Sequence, residues 1–152
     1  MRKLIISTVI AATAATGAFA QSPSDVAKAR RAYFTLVGFE MSTLGAMAQG
    51  KIDYDADVAS QAAKDLAALT GYTMSDLFAP GTSNDDLPGE TRAEAKIWAD
   101  MPGVQDKGMA FYQAVADLNA VAGNGLEALQ PAVGKLGGTC KACHDDYRAK
   151  DF

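Results

Sequence analysis

Apolar positions along the chain recur at spacings of three and four through four separate stretches, the period of amphipathic helices rather than of strands. The first stretch opens at Ser22-Pro23-Ser24-Asp25. There Ser22 can cap, Pro23 suits a first turn, and Asp25 faces the positive end of the helix dipole. Arg30, Phe34, Val37, Met41, Leu44 and Ala48 then share one stripe, which Gly50 ends. The second helix is expected after Asp53 or Asp55, with Val58, Ala62, Leu66 and Leu69 as its buried face and a stop at Gly71. The third carries Phe111, Val115, Leu118 and Ala122 and ends near Gly123-Asn124-Gly125. The fourth runs through Leu126, Leu129, Val133, Leu136, Cys140, Cys143/His144 and Tyr147. Pro131 removes a hydrogen bond inside that pattern, so it is expected to bend the first turns or delay the helix start.

Between the second and third helices lies a long connection, Tyr72 to about Glu90, dense in turn residues such as Pro80-Gly81 and Pro88-Gly89. It exceeds the usual helix–helix link and is a candidate wall for a ligand. Thr91 to Trp98 is expected to form a short helical piece before Pro102-Gly103. The other connections are short and β-branched residues are sparse. The pattern therefore predicts an all-α fold, an antiparallel up-down four-helix bundle, whose interior commonly houses a cofactor.

The first 20 residues follow a different pattern. Arg2 and Lys3 precede an apolar stretch that ends in Ala18-Phe19-Ala20, a small-x-small cleavage site. This predicts a cleaved signal peptide over 1–20 and a mature domain over 21–152. Ser7, Thr8, Thr13 and Thr16 interrupt the stretch, which argues against a membrane anchor of about 20 apolar residues. Removal of 20 from 152 residues leaves 132, and loss of Arg2 and Lys3 takes the formal charge from -4 to -6. An acidic exported protein is expected, with no insertion in the membrane after cleavage and no nucleic-acid partner. A 49% hydrophobic composition excludes disorder.

Two cysteines and one histidine are the scarce reactive residues, and they stand together as Cys140-Lys141-Ala142-Cys143-His144. C-x-x-C-H is the attachment motif of c-type haem. Two thiols three residues apart can each add to a vinyl group of one porphyrin, and the adjacent imidazole can reach the iron. Haem attachment requires export, which the leader independently predicts. A redox C-x-x-C pair belongs near a βαβ pattern, and the sequence has none. Zinc lacks a fourth protein ligand.

The motif lies eight residues from the end of the sequence, on the last helix, and no second histidine can supply a sixth ligand. At this point the sequence resembles the cytochromes c′, class II c-type cytochromes, over essentially all of the mature chain. The stretch from Gly137 to Arg148 is the most specific. Ala29 to Phe34, Phe78 to Ser83 and Ile97-Trp98 support it. The match looks closest to the proteins of purple phototrophic bacteria.

The resemblance implies one covalent haem c per chain, held by Cys140 and Cys143, with His144 as the only axial protein ligand of a five-coordinate, high-spin iron. Phe34 matches the apolar side chain that covers the open distal face, a role compatible with ordinary core packing. Arg30, Arg31, Thr91 and Arg92 match haem or propionate contacts, although Arg31 departs from the uncharged or acidic residue common there. Arg148 matches a proximal arginine, against the plainer reading of a surface ion pair with Asp145 or Asp151. Trp98 is a further candidate for the pocket wall or for the core.

Two functions follow from that resemblance and share one site: binding nitric oxide or carbon monoxide, and carrying single electrons to an unidentified redox partner in the periplasm. The alternative is a low-spin, six-coordinate electron carrier with a first-helix Met ligand. Met41 shares the stripe, but it lies about 10.5 Å along the axis from Phe34. Both cannot cover one iron, and Met41 reads as core filler. Met101 and Met109 are expected elsewhere in the bundle. An enzyme is not expected, because a peroxidase needs a distal acid–base pair and the sole histidine is committed. The resemblance also implies a possible homodimer through the first two helices, whose small residues Ala46, Ala48, Ala59, Ala62 and Ala63 allow close approach without demanding it.

Overall fold

The computed structural model describes residues 21–152, so the expected leader, residues 1–20, lies outside the described residues. Those residues form five α-helices: α1 (Pro23–Ala48), α2 (Ala56–Leu69), α3 (Lys96–Ala99), α4 (Met101–Val121) and α5 (Leu126–Tyr147). A short 3₁₀ segment spans Met74–Phe78. The four long helices pack in a ring, α1 on α2, α2 on α4, α4 on α5 and α5 on α1. Short links at 49–55 and 122–125 make the joined neighbours antiparallel, as expected for an up-down bundle.

Local chemistry sets the helix starts. Ser22 caps α1 by accepting the Asp25 N–H at 3.2 Å, and the Asp55 carboxylate accepts from Asp57 and Val58 at 2.9 and 3.0 Å. Asp100 caps α4 through the Gly103 N–H at 3.2 Å. Pro102 therefore sits in the first turn of α4, where a missing N–H costs nothing, rather than between two elements. Pro131 does not delay α5, which begins at Leu126. The segment expected to be helical from Thr91 is an extended strip followed by the single turn α3, and Ala93 pairs across to Arg148.

The core lies where leucines from all four long helices meet. Leu44, Leu66, Leu118, Leu129 and Leu136 are fully enclosed. Val58, expected in that face, is exposed, and Ala59 takes its place. Ala59, Ala62 and Ala63 turn inward, where small side chains let α2 approach its neighbours. This corrects their expected part in a dimer face, since each is already covered within the monomer. Leu36, Phe39 and Val58 are instead among the exposed apolar groups on these helices. At this end of the bundle the Tyr54 hydroxyl donates to the Ala122 carbonyl and accepts from the Gly125 N–H, both at 2.9 Å. It ties the α1–α2 link to the α4–α5 link.

Candidate functional site

At the other end α1, α4, α5 and the long connection line a cavity of about 1010 Å³. The division runs along each helix. On α1, Arg30, Phe34, Val37 and Met41 line the cavity, while Leu44 and Met47 enter the core. On α4, Met101, Val104, Gly108 and Phe111 line it, and Val115 and Leu118 are core. Helix α5 runs the opposite way, so its last turns bring Cys140, Cys143 and His144 to the cavity. The long connection closes it with Met74 and Phe78.

All nine residues expected at the site line this one cavity: Cys140, Cys143, His144, Phe34, Arg30, Arg31, Thr91, Arg92 and Arg148. Phe34 departs from the expectation of a buried stripe. It is 39% exposed because its ring opens on the cavity instead of the leucine core. Edge contact with the Tyr33 ring, 5.1 Å between centroids, fixes its position. Met101 and Met109, expected elsewhere, also line the cavity, as do Tyr112 and Phe152. The α4 stripe from Met101 through Val104 and Gly108 to Phe111 carried that signal at three-four spacing. Trp98 does not line the cavity. Its Nε1–H donates to the Phe78 carbonyl at 3.0 Å and so supports the wall from behind.

Both thiols are half-buried and free, and burial pushes their pKa values up. For His144 the walls' desolvation, followed by the charge of Arg92, lowers the pKa. The imidazole is thus biased toward the neutral form, the one that offers a lone pair to a metal. Among the described residues no cluster of three or more His, Cys, Asp or Glu side chains could hold an ion by itself.

Charge is the most unusual property of the site. Every arginine in the described residues lines the cavity, and none pairs with a carboxylate. The ion pairs are made by lysines: Lys28–Asp25, Lys107–Asp146, Lys135–Asp117 and Lys141–Asp145. Asp145, one expected partner of Arg148, is therefore taken by Lys141. Arg30 is 4% exposed and donates four hydrogen bonds, to the Leu77 carbonyl at 3.0 Å, Thr82 Oγ1 at 2.9 Å, the Thr82 carbonyl at 2.7 Å and Thr91 Oγ1 at 2.9 Å. Phe78 and Trp98 lie 5.3 and 5.9 Å from its Cζ. The guanidinium and Thr91 thus hold the long connection against α1, a role that the expectation of cofactor contact had not included. Arg31 donates to the Glu90 carbonyl at 3.0 Å and Arg92 to the Lys150 carbonyl at 3.1 Å.

A second set of bonds fixes the turns around His144. Glu94 N–H donates to the Tyr147 carbonyl at 3.0 Å, and Ala149 N–H to that of Arg92 at 2.8 Å. The Tyr147 hydroxyl donates to the Asp100 carboxylate at 2.6 Å. A Cβ at position 103 would collide with that phenol oxygen and carboxylate, which accounts for Gly103.

The fit to haem follows from these observations. Haem is broad and apolar with two carboxylates, and the cavity offers apolar walls together with cations that no protein carboxylate neutralises. Two thiols and an imidazole, the donor set of a c-type attachment, share one wall.

The family model for cytochrome C′ matches residues 25–148. The cytochrome c′ of Cereibacter sphaeroides is 52% identical over 150 residues, 99% of each chain. A solved cytochrome c′ from Rhodobacter sphaeroides superposes with a TM-score of 0.83 at 54% identity, covering 86% of this chain and 99% of that one. The cytochrome c′ of Alcaligenes xylosoxidans has been solved as a ferrous variant with bound NO, with a TM-score of 0.76 at 29% identity over 87% of this chain and 99% of that one. A further variant of it carries carbon monoxide.

Replacement of Arg30 by Met should destabilise the fold by about 3 kcal/mol in denaturant titration, because two hydroxyls and two carbonyls lose their donor. Arg30→Lys should recover only part, since an ammonium cannot reproduce the planar fork. The hydrogen bond that the Tyr147 hydroxyl donates to Asp100, helped by desolvation, raises the phenol from 10.0 to about 12. A raised folded pKa gives stability that is complete below pH 10 and lost as pH rises through about 12. The difference in thermal midpoint between wild type and Tyr147→Phe should be constant below pH 10 and shrink above it. A difference independent of pH across that window would refute the assignment.

Proposed function

Because the chain belongs to the cytochrome c′ family, haem proteins of electron transport and gas binding, we propose that it binds nitric oxide or carbon monoxide at a five-coordinate, high-spin haem c and transfers single electrons through the same group. One observation carries this reading. Two thiols and an imidazole face a cavity in which four arginines have no carboxylate partner among the described residues. The bound haem supplies a one-electron couple and, at an open coordination position, a site for a diatomic gas.

Each chain residue then has a defined task. Cys140 and Cys143 anchor one haem per chain through thioethers, and His144 offers its neutral imidazole as the protein ligand. Phe34 covers the distal side with a ring that has no lone pair or donor, so polar ligands gain nothing there. Arg31, Arg92 and the network of Arg30 with Thr91 answer the propionates, and Arg148 acts from the proximal side. No acid–base pair accompanies them, and we read the protein as a non-enzyme. Residues 1–20 are the leader that delivers the domain 21–152 to the periplasm, and no helix of the described residues is long and apolar enough to cross a membrane. A homodimer would use the exposed Leu36, Phe39 and Val58 on α1 and α2.

A second reading has its own support, since Met41 lines the cavity with Phe34. It makes the iron six-coordinate and low-spin, leaving electron transfer alone. Spectra of the ferrous protein separate the two. A high-spin spectrum that shifts with both nitric oxide and carbon monoxide is expected, whereas a sharp low-spin spectrum insensitive to carbon monoxide would establish the methionine ligand. Phe34→Ala should speed carbon monoxide association measured by flash photolysis, and an unchanged rate would remove Phe34 as the distal cover.

A further inference from the structure

Phe152 lies four residues beyond the stretch that the family model matches, residues 25–148, yet it lines the cavity. The Cζ of Arg31 is 5.4 Å from its ring centroid, and that of Arg92 is 5.2 Å away. Arg31 belongs to α1 and Arg92 to the strip after the long connection, so one ring spans two walls. The ring is 65% exposed, and burial of apolar area is therefore not what holds it. Two guanidiniums are, and neither has a carboxylate partner among the described residues. The backbone leading to the ring is tied as well, by Ala149 N–H to the Arg92 carbonyl and by the Arg92 side chain to the Lys150 carbonyl.

We propose that Phe152 is a lid over the arginine rim of the cavity, and that it sets how readily small soluble redox reagents reach the bound cofactor. The proposal rests on the haem reading above. With the ring between Arg31 and Arg92, the rim is covered by an apolar face. When the ring swings out, the rim and the cofactor edge behind it open to the solvent. The balance between these states depends on the two cation–π contacts and the tie at Arg92.

Reduction of the ferric holoprotein by dithionite in a stopped-flow instrument tests this. Phe152→Ala should be reduced about fivefold faster, the equivalent of about 1 kcal/mol of lost cation–π contact. Phe152→Leu, which keeps bulk without a π face, should also be faster, and Phe152→Trp should be no faster than wild type. Thermal midpoints should fall by no more than about a few degrees, the size of that contact, since the ring lies outside the core. An Ala variant reduced at the wild-type rate would overturn the lid, and a Leu variant at that rate or a faster Trp variant would overturn the cation–π clamp. A low-spin wild-type protein blind to carbon monoxide would sink the open-site reading alone, because reduction by dithionite needs no open coordination position.

Discussion

Arg30 brings a full positive charge to a place where 4% of its surface meets solvent and where no carboxylate among the described residues answers it. Removing a cation from water costs several kcal/mol even after relaxation, so its surroundings must supply acceptors in quantity. The long connection does so. Leu77, Thr82 and Thr91 are spaced along it such that their oxygens converge on one guanidinium. A segment that would otherwise be a loose link is thereby drawn against α1 and becomes a wall, with Phe78 stacked on the cation and Trp98 braced behind.

That wall gives the bundle two unlike ends. At one, leucines and alanines pack closely and Tyr54 ties the two short links together. At the other, the connection and the pairing of residues 92–94 with 147–149 close the cavity between the helices. The thiols and the imidazole occur on the portion of α5 that reaches the open end. Since α4 and α5 are antiparallel, the early turns of α4 meet the late turns of α5. Met101 and Phe111 therefore face the same space as Cys140 and His144.

The long helices and most of their ends were legible in the sequence, because Ser22, Asp55 and the glycines at 50 and 125 act through bonds to their own neighbours. The residues gathered at the site were legible too, through a motif of fixed spacing and a resemblance spanning the chain. Less legible was the side of the molecule each apolar stripe would meet. Phe34 and Leu44 share one stripe of α1, yet one opens on the cavity and the other is enclosed. Met101 carried a signal only as part of a stripe with Val104, Gly108 and Phe111, and Ala59, Ala62 and Ala63 looked like material for an interface while filling the core.

The reason is physical. Caps, turns and helical periodicity are short-range, so residues 21–152 fix them by local hydrogen bonding and by the spacing of apolar groups. The thiol–imidazole triplet is likewise local, with its three groups within five consecutive residues. Whether an apolar face becomes core or cavity wall depends on what stands across from it, often 50 or more residues away along the chain. The grip of Arg30 on Thr82 and Thr91, 52 and 61 residues distant, is such a decision, as is the placing of Phe152 between Arg31 and Arg92. Periodicity marks both kinds of face identically, and only tertiary packing separates them.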